Sequence, residues 1–330
     1  MDVDNTPTRI EELWFSDGGL VVQAEQSLFR VSAGILAARS PVFKDMLSFT
    51  QPPDAESIEG CPVVRLPDSS ADVTCFFRAI FDSSFFEPHP SKVSFENVLS
   101  ILRLGNKYAV DYLLRRALVH LSYDFPTTLA AYDAHPKNCS TNLETILDSD
   151  AISPFIAVIK IAREVDALWM LPSVFYELAR TEDKFIRRVL RCTAYNDHPA
   201  KLGDEDQILF LTCSLHLTRL ESEAVAFLYS ANTNAHCARG ERCIRARLSA
   251  LAKIQDYLAD PDEGSPNALS LCSNAEIWDA LMENCCKQCY NSLVEANEET
   301  RKSLWDKLPG FCGLPPWPEL EEMKARALEL

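Results

Sequence analysis

Every segment with the alternating pattern of a β-strand lies before residue 67, and this confinement is the strongest constraint on the fold. The strand-like runs are residues 20–24, 28–31 and 63–66, and the first two are close enough to form a hairpin. Ser40-Pro41 separates two short helical runs, 32–39 and 41–47, because the residue before a proline avoids helical angles. The pattern predicts a small β-sheet capped by α-helices, followed by a chain without strands.

After residue 70 the apolar residues follow the period of an α-helix. The helical runs up to Leu121 complete a first unit, residues 11–125, which we assign to the α+β class. Residues 126–150 are polar and have no strong period, so we predict a loose connection there. Residues 151–330 are predicted to form an all-α C-terminal domain.

Within this helical domain the periodicity also predicts which faces are buried. One stripe with helical spacing that we expect to face the core consists of Ile208, Leu211 and Leu215, then Leu220, Ala224 and Phe227. Further helices are expected at 245–259, 275–299 and 319–330.

The chain is strongly acidic, with 32 Lys and Arg against 48 Asp and Glu and a net charge of −16. A charge of this sign repels a phosphate backbone, so no nucleic-acid partner is expected. The N-terminal residues lack the pattern of a secretory signal, and no run of about 18 apolar residues is present. We therefore expect no membrane partner and a cytoplasmic or nuclear protein, in which most of the 12 cysteines are reduced thiols.

The first unit also contains specific sequence strings in a defined order. They are residues 20–24, 28–31 and 35–43, then 63–68, and then Leu104-Gly105-Asn106-Lys107-Tyr108-Ala109-Val110. Over about residues 11–125 these strings resemble the BTB/POZ domain. Within that family the chain is most similar to the expanded fungal (basidiomycete-type) set, whose C-terminal tails are similar to residues 305–317 here.

The resemblance implies a protein-interaction module or scaffold that self-associates as a homodimer through the BTB unit, with a helical half that selects a partner. Leu13, Trp14 and Phe15 are placed where an N-terminal segment could pack across a partner, or they cover their own core. Phe49, in the loop after the second short helix, completes the expected interaction residues.

The chain departs from the BTB pattern in two places. Ser32-Ala33 follows Val31 where many relatives have a basic residue, although Ser32 remains a good helix N-cap. Relatives that recruit a cullin-type ubiquitin ligase often have a hydrophobic-x-acidic motif in the loop that is residues 48–54 here, and this loop has no convincing copy. A role as a substrate adaptor with a cullin partner is therefore an alternative that depends on family membership alone.

Two cysteine pairs are the most specific feature of the second unit. Cys237 and Cys243 are separated by five residues, and Cys286 and Cys289 by two. Four thiolates from two pairs are typical of a structural zinc site, although the first gap is wider than usual. The competing interpretation is that these cysteines are small buried residues on apolar helix faces.

No catalytic or cofactor-binding residue is predicted, and we expect a protein that is not an enzyme. Hydrolase, zinc-protease, phosphate-loop and dinucleotide motifs are absent, and the chain has only 10 glycines. A thiol-dependent redox enzyme using Cys286-Lys287-Gln288-Cys289 is the less favoured alternative, because redox pairs usually open a helix and this one is predicted to lie inside one.

Two further motifs are expected to stabilise the fold rather than to bind a partner. Arg239, Arg242, Arg245 and Arg247 are expected to pair with internal carboxylates. Pro315-Pro316-Trp317-Pro318 is expected to redirect the chain and bury its Trp side chain.

Overall fold

The computed structural model describes residues 6–49, 56–134, 143–144, 152–180, 186–196, 198–229, 237–259, 268–270 and 274–329. A curled β-sheet with helices occupies the N-terminal part, and the remainder is mostly helical. The predicted α+β fold with a helical C-terminal region is therefore confirmed.

The sheet has five strands in the order β1-β3-β2-β5-β4. They are β1 (Thr8–Trp14), β2 (Leu20–Ala24), β3 (Ser27–Val31), β4 (Ser57–Ile58) and β5 (Cys61–Leu66). β2 and β3 form the predicted hairpin, with Leu20 opposite Val31. β5 joins β2 in parallel and β1 joins β3 in parallel. We did not predict β1 and β4, because β1 is a largely exposed edge strand without apolar alternation and β4 has only two residues.

Helices α1 (Ala33–Arg39) and α2 (Pro41–Ser48) follow the hairpin, and each begins at a serine cap. The Ser32 hydroxyl accepts the N–H of Ile35, as predicted. The Ser40 hydroxyl accepts the N–H of Phe43 at 3.0 Å and donates to the carbonyl of Tyr108 at 2.5 Å. Ser40 therefore ends one helix, begins the next and ties both to a distant part of the unit.

Three longer helices complete the first unit, namely α3 (Ser70–Phe81), α4 (Phe95–Lys107) and α5 (Asp111–Asp124). The short strand β6 (Val93–Ser94) precedes α4. The core between sheet and helices is aromatic, since the Phe43 ring stacks on Tyr108 with centroids 4.6 Å apart and Phe29 meets Phe77 edge-on.

The remainder consists mainly of ten helices among the described residues: α6 (Leu129–Ala134), α7 (Ile152–Glu164), α8 (Leu171–Ala179), α9 (Ile186–Arg191), α10 (Asp204–Ala224), α11 (Ala226–Tyr229), α12 (Glu241–Ala259), α13 (Ala275–Asn284), α14 (Lys287–Phe311) and α15 (Trp317–Glu329). A 3₁₀ turn, Leu168–Met170, precedes α8. Three two-residue strands are added: β7 (Leu143–Glu144), which pairs with β6, and β8 (Ala194–Tyr195) with β9 (His198–Pro199). The region is thus not strictly all-α. None of the described helices has both the length and the apolar composition required to cross a bilayer.

Helix α6 lies within the expected loose connection, 126–150, and most of the rest of that segment lies outside the described residues. Two predictions for the helical region require correction. The helix expected at 275–299 is interrupted between α13 and α14, because Cys285 and Cys286 adopt extended backbone angles. In the stripe predicted on α10, Leu220 and Ala224 are buried as expected, but Ile208, Leu211 and Leu215 do not face the core. The helix buries Phe210, Cys213 and Leu217 in their place.

The two parts of the chain share one continuous cluster of buried apolar residues. Polar contacts cross between them as well. Trp169 donates its indole N–H to the Ser122 hydroxyl at 3.0 Å, and Tyr195 donates to the Glu96 carboxylate at 2.9 Å. The helical part therefore packs directly on the first unit, while the boundaries 11–125, 126–150 and 151–330 stay a prediction.

Candidate metal centre and interaction surfaces

The four cysteines predicted to bind metal lie together where two helices begin. Cys237 precedes α12, and Cys243 lies in the first turn of that helix. Cys286 is the N-cap of α14, and Cys289 lies in its first turn. The fold thus brings together two pairs whose nearest members in sequence, Cys243 and Cys286, are 43 residues apart.

The sulfur geometry fits a metal ion. The four Sγ atoms all lie within 4.8 Å of one another, and those of Cys237 and Cys286 are 4.0 Å apart. All four are free thiols; three are buried and Cys237 is half-buried. With bonds of about 2.3 Å, a tetrahedral zinc site places its sulfurs roughly 3.8 Å apart. A small contraction would therefore close this cluster around one ion.

Backbone N–H groups favour negative charge on two of the sulfurs. The N–H of Cys289, with further amide contacts, lowers the pKa of Cys286 to about 6. The N–H of Arg239 is the main cause that lowers the pKa of Cys237. The N–H of Cys286 also donates to Cys243 Sγ at 3.2 Å, although burial has the larger effect on the pKa of Cys243. Amide donors directed at thiolates are the outer contacts that orient and stabilise metal ligands.

Burial acts in the opposite direction on the other two sulfurs. Desolvation raises the pKa of Cys243 and of Cys289, because the charged thiolate is poorly solvated there. Without a cation the cluster therefore favours a mixture of thiol and thiolate. A divalent cation at the centre would favour the thiolate at all four positions.

The turn before α12 brings Cys237 and Cys243 together although five residues separate them in the sequence. Gly240 has a φ of +40°, in the left-handed region, so the chain reverses there. The N–H of Arg242 donates to the carbonyl of Arg239, and the N–H of Cys243 donates to that of Gly240. One turn and the start of a helix thus return Cys243 to the side of Cys237.

The predicted basic cluster has mostly different partners from those expected. Arg239 donates to the carbonyl oxygens of Glu283 and Cys285, and Arg242 donates to the Asn284 amide oxygen. Only Arg245, of the three with contacts described here, meets a carboxylate, that of Glu241 on its own helix. The arginines therefore attach the turn to the end of α13, rather than forming a free basic surface.

Cys285 and Cys312, which are among the described residues, do not enlarge the four-sulfur group. Cys285 is buried beside it, and burial raises the pKa of its thiol to about 11. Cys312 is next to Cys213, which raises its pKa, rather than next to the cluster. His236 and Cys272 lie outside the described residues.

The predicted position of Cys286 and Cys289 inside a helix was wrong. Cys286 and Cys289 open helix α14 instead of lying inside a longer helix, because the chain breaks at Cys285 and Cys286. The helix position therefore no longer excludes a redox pair. The two other cysteines in contact with this pair favour a four-ligand site over a dithiol.

The four predicted interaction residues lie in different environments. Leu13 is 2% exposed in the core of its own chain. Trp14 and Phe15 are half-buried: Trp14 packs on a small cluster on the outer face of the sheet, and the Phe15 ring lies 5.4 Å from Phe81. Phe49 is 73% exposed. Only Phe49 has most of its surface free for a partner.

Helix α10 has an apolar surface that the sequence analysis assigned to the core. Ile208, Leu211 and Leu215 are 65%, 41% and 69% exposed and lie on the face opposite the buried one. A row at positions i, i+3 and i+7 forms a ridge about 10 Å long on a helix. The signal was present in the sequence, since Phe210, Cys213 and Leu217 form a second apolar row on the same helix.

Comparison with known proteins identifies the first unit. Residues 11–124 match the family model of the BTB/POZ domain. No curated protein and no solved structure gives a significant match to the chain. The match agrees with the curled sheet, the hairpin and the five helices described above. Residues 11–124 are therefore a BTB/POZ domain, which is a protein–protein interaction module and not an enzyme fold.

Proposed function

We propose that this protein is an interaction scaffold that self-associates through its BTB/POZ domain and selects a partner through its helical region. The observation that supports this most is the BTB/POZ domain at residues 11–124, an interaction module joined to a helical region that has its own exposed apolar ridge. We also infer, from the similarity of residues 305–317 to fungal tails, that the chain belongs with the expanded fungal BTB proteins.

The self-association surface lies on α1, α2 and the residue that follows them. Ile35 on α1, Val42 on α2 and Phe49 are apolar and exposed, and the two helices pack against each other. Exposed apolar groups on adjacent elements are typical of an interface. The expected assembly is a homodimer, with Trp14 and Phe15 at its edge and Leu13 supporting it from the core.

The test is the dimer dissociation constant of the full chain, measured by sedimentation equilibrium. We expect Phe49→Ser to weaken the dimer at least about five-fold, since an interface residue that contributes over about 1 kcal/mol has an effect of this size. Leu248→Ser is the matched control, because Leu248 is also exposed but lies on α12. A monomeric wild-type protein, or a variant as dimeric as the control, would contradict the proposal.

Partner selection is assigned to the ridge of Ile208, Leu211 and Leu215. Its occupant would be an apolar groove with a basic rim, because the ridge begins beside exposed Asp204 and Glu205 and the chain has a net charge of −16. Leu215→Ser should abolish binding of such a partner while leaving the dimer intact. Retention of the partner by this variant would refute the assignment.

A substrate adaptor of a cullin-type ubiquitin ligase is the alternative. Residues 50–55 of the relevant loop lie outside the described residues, and Phe49 at its start is exposed. Calorimetric titration of the full chain with a cullin N-terminal domain distinguishes the two. Micromolar or tighter binding supports the adaptor, whereas no heat at several temperatures supports a scaffold without a cullin.

A further inference from the structure

We propose that Cys237, Cys243, Cys286 and Cys289 bind one zinc ion in a closed, tetrahedral Cys₄ site that fastens the start of α12 to the junction of α13 and α14. The site is structural, with no coordination position left for a substrate. It is independent of the proposed interaction function.

The first support is the number and placement of the sulfurs. A zinc ion requires four ligands converging on one point, and all four Sγ atoms are within 4.8 Å of one another. Simple burial of small apolar residues does not require this convergence. Cys213 and Cys312 show the difference, since they meet as a buried pair without further cysteines described around them.

The second support is the compensation of charge. Zinc bound to four thiolates has a net charge of −2, which burial would penalise unless donors surround it. The sulfurs lie at the N-termini of α12 and α14, where helix dipoles favour negative charge. The Cys286 N–H donates to Cys243 Sγ, and the cationic side chain of Arg239 donates a hydrogen bond to the carbonyl of Cys285, beside the cluster. These groups provide the surroundings that a closed thiolate site needs.

The third support is the local backbone. The chain stops helix α13 at Asn284 and restarts at Lys287, which gives Cys286 an extended conformation and directs both cysteines of the pair inward. The left-handed Gly240 produces the matching reversal beside Cys237. A metal ion bound by both cysteine pairs would explain why two irregular backbone segments meet at one cluster of sulfur atoms.

Soft thiolate sets bind iron as well as zinc, so the identity of the metal must be measured. The full chain is purified under reducing conditions without chelator, and its metals are determined by mass spectrometry. We expect about one zinc per chain, released by denaturation or by oxidation of the thiols. Iron in place of zinc, or protein without stoichiometric metal when zinc is supplied, overturns the proposal.

Variants then test the ligand set. Cys243→Ser and Cys289→Ser should each lose most of the bound zinc, whereas Cys285→Ala should retain it, because Cys285 is adjacent and buried but outside the four. Zinc lost equally from Cys285→Ala, or retained by Cys289→Ser, would show that the assignment is incorrect.

Cobalt substitution tests the ligand set in the wild-type protein, and it is therefore informative even if a serine variant does not fold. Wild-type protein is stripped of metal, refolded with Co²⁺ and examined by visible absorption. Intense d–d bands with sulfur-to-cobalt charge transfer are expected for four thiolates in a tetrahedron. A weak octahedral spectrum refutes the site. The absence of metal together with a titrating, reducible Cys286–Cys289 pair would instead support redox chemistry.

Discussion

The Asp72 carboxylate is buried between the first unit and the helical region. Ser100 donates to it at 2.6 Å and Arg103 at 3.3 Å. Arg103 also donates to His198 Nδ1 at 3.3 Å, which places His198 3.7 Å from the carboxylate. The side chains of Asp72 and Arg103 are only 11% and 17% exposed. Since His198 belongs to β9, the contacts of Arg103 with Asp72 and His198 connect the two parts of the chain.

We expect Asp72→Ala to destabilise the protein substantially. Breaking a buried ion pair by removing one partner costs about 3–5 kcal/mol. Arg103 retains Glu164 at 3.6 Å, so we expect the lower end, about 3 kcal/mol. Asp72→Asn keeps the shape and loses the charge, and should cost about 1–2 kcal/mol.

The assay is urea unfolding followed by circular dichroism, with Glu56→Ala as the control. Glu56 pairs with Arg65 at 2.5 Å, and these side chains are 48% and 67% exposed, so its loss should cost about 1 kcal/mol or less. A double-mutant cycle of Asp72→Ala with His198→Ala then measures the connection across the two parts. We expect a coupling free energy of at least about 0.5 kcal/mol. Additive effects, or a cost of Asp72→Ala no larger than that of the control, would refute the reasoning.

Three further predictions concern single buried groups. Ser40→Ala removes the cap of α2 and the bond to Tyr108, and should cost about 2–3 kcal/mol in chemical unfolding; a loss below about 0.5 kcal/mol would contradict it. Trp317→Ala removes a ring stacked on Trp305 at 5.0 Å and should cost about 3–5 kcal/mol, whereas Trp317→Phe should cost much less, and equal losses would be the contrary result. Burial lowers the pKa of His120 in the folded protein. As the pH falls, the unfolded chain therefore binds a proton at this residue before the folded chain does, which favours unfolding. The stabilising contribution of neutral His120 is complete above about pH 6.5, and the free energy of unfolding decreases as the pH falls below that value. Thermal melts between about pH 8 and pH 5 should show a shallower decline for His120→Gln than for wild type, and parallel curves would exclude His120 as a cause.

The local features of the first unit were predictable from the sequence because neighbouring residues determine them. The hairpin follows from two alternating runs with a short turn between them, and Ser32 caps α1 because its hydroxyl reaches a backbone N–H three residues on. The edge strand β1 was not predictable in this way. Its stability depends on backbone bonds to β3, and its exposed side chains show no apolar alternation.

Helix α10 shows where periodicity is insufficient. It has apolar residues on two opposite faces, and both rows have helical spacing. The buried row is selected by α8 and α14, which pack against the helix and lie far away in sequence. The local pattern contains both apolar rows, but it does not indicate which of them is buried.

The cysteine cluster was predictable in composition but not in geometry. The short gap between Cys286 and Cys289 is a recognisable metal-ligand spacing. Whether the distant Cys237 and Cys243 would join them depends on the packing of α12 against α13. The break at Cys285 was also hidden, since no proline or glycine marks it in the sequence.

Helix α14 indicates how the proposed metal site relates to the rest of the molecule. Its 25 residues are about 37 Å long, and Trp305 lies about 24 Å along the helix from Cys289 in its first turn. At that far end Trp305 donates to the carbonyl of Thr127 and Arg301 contacts Asp133, next to the BTB/POZ domain. Because these contacts hold the far end independently, loss of metal should loosen α12 and α13 while leaving dimerisation unchanged. Hydrogen exchange with and without zinc would locate the change, and increased exchange throughout the BTB/POZ domain would contradict this separation.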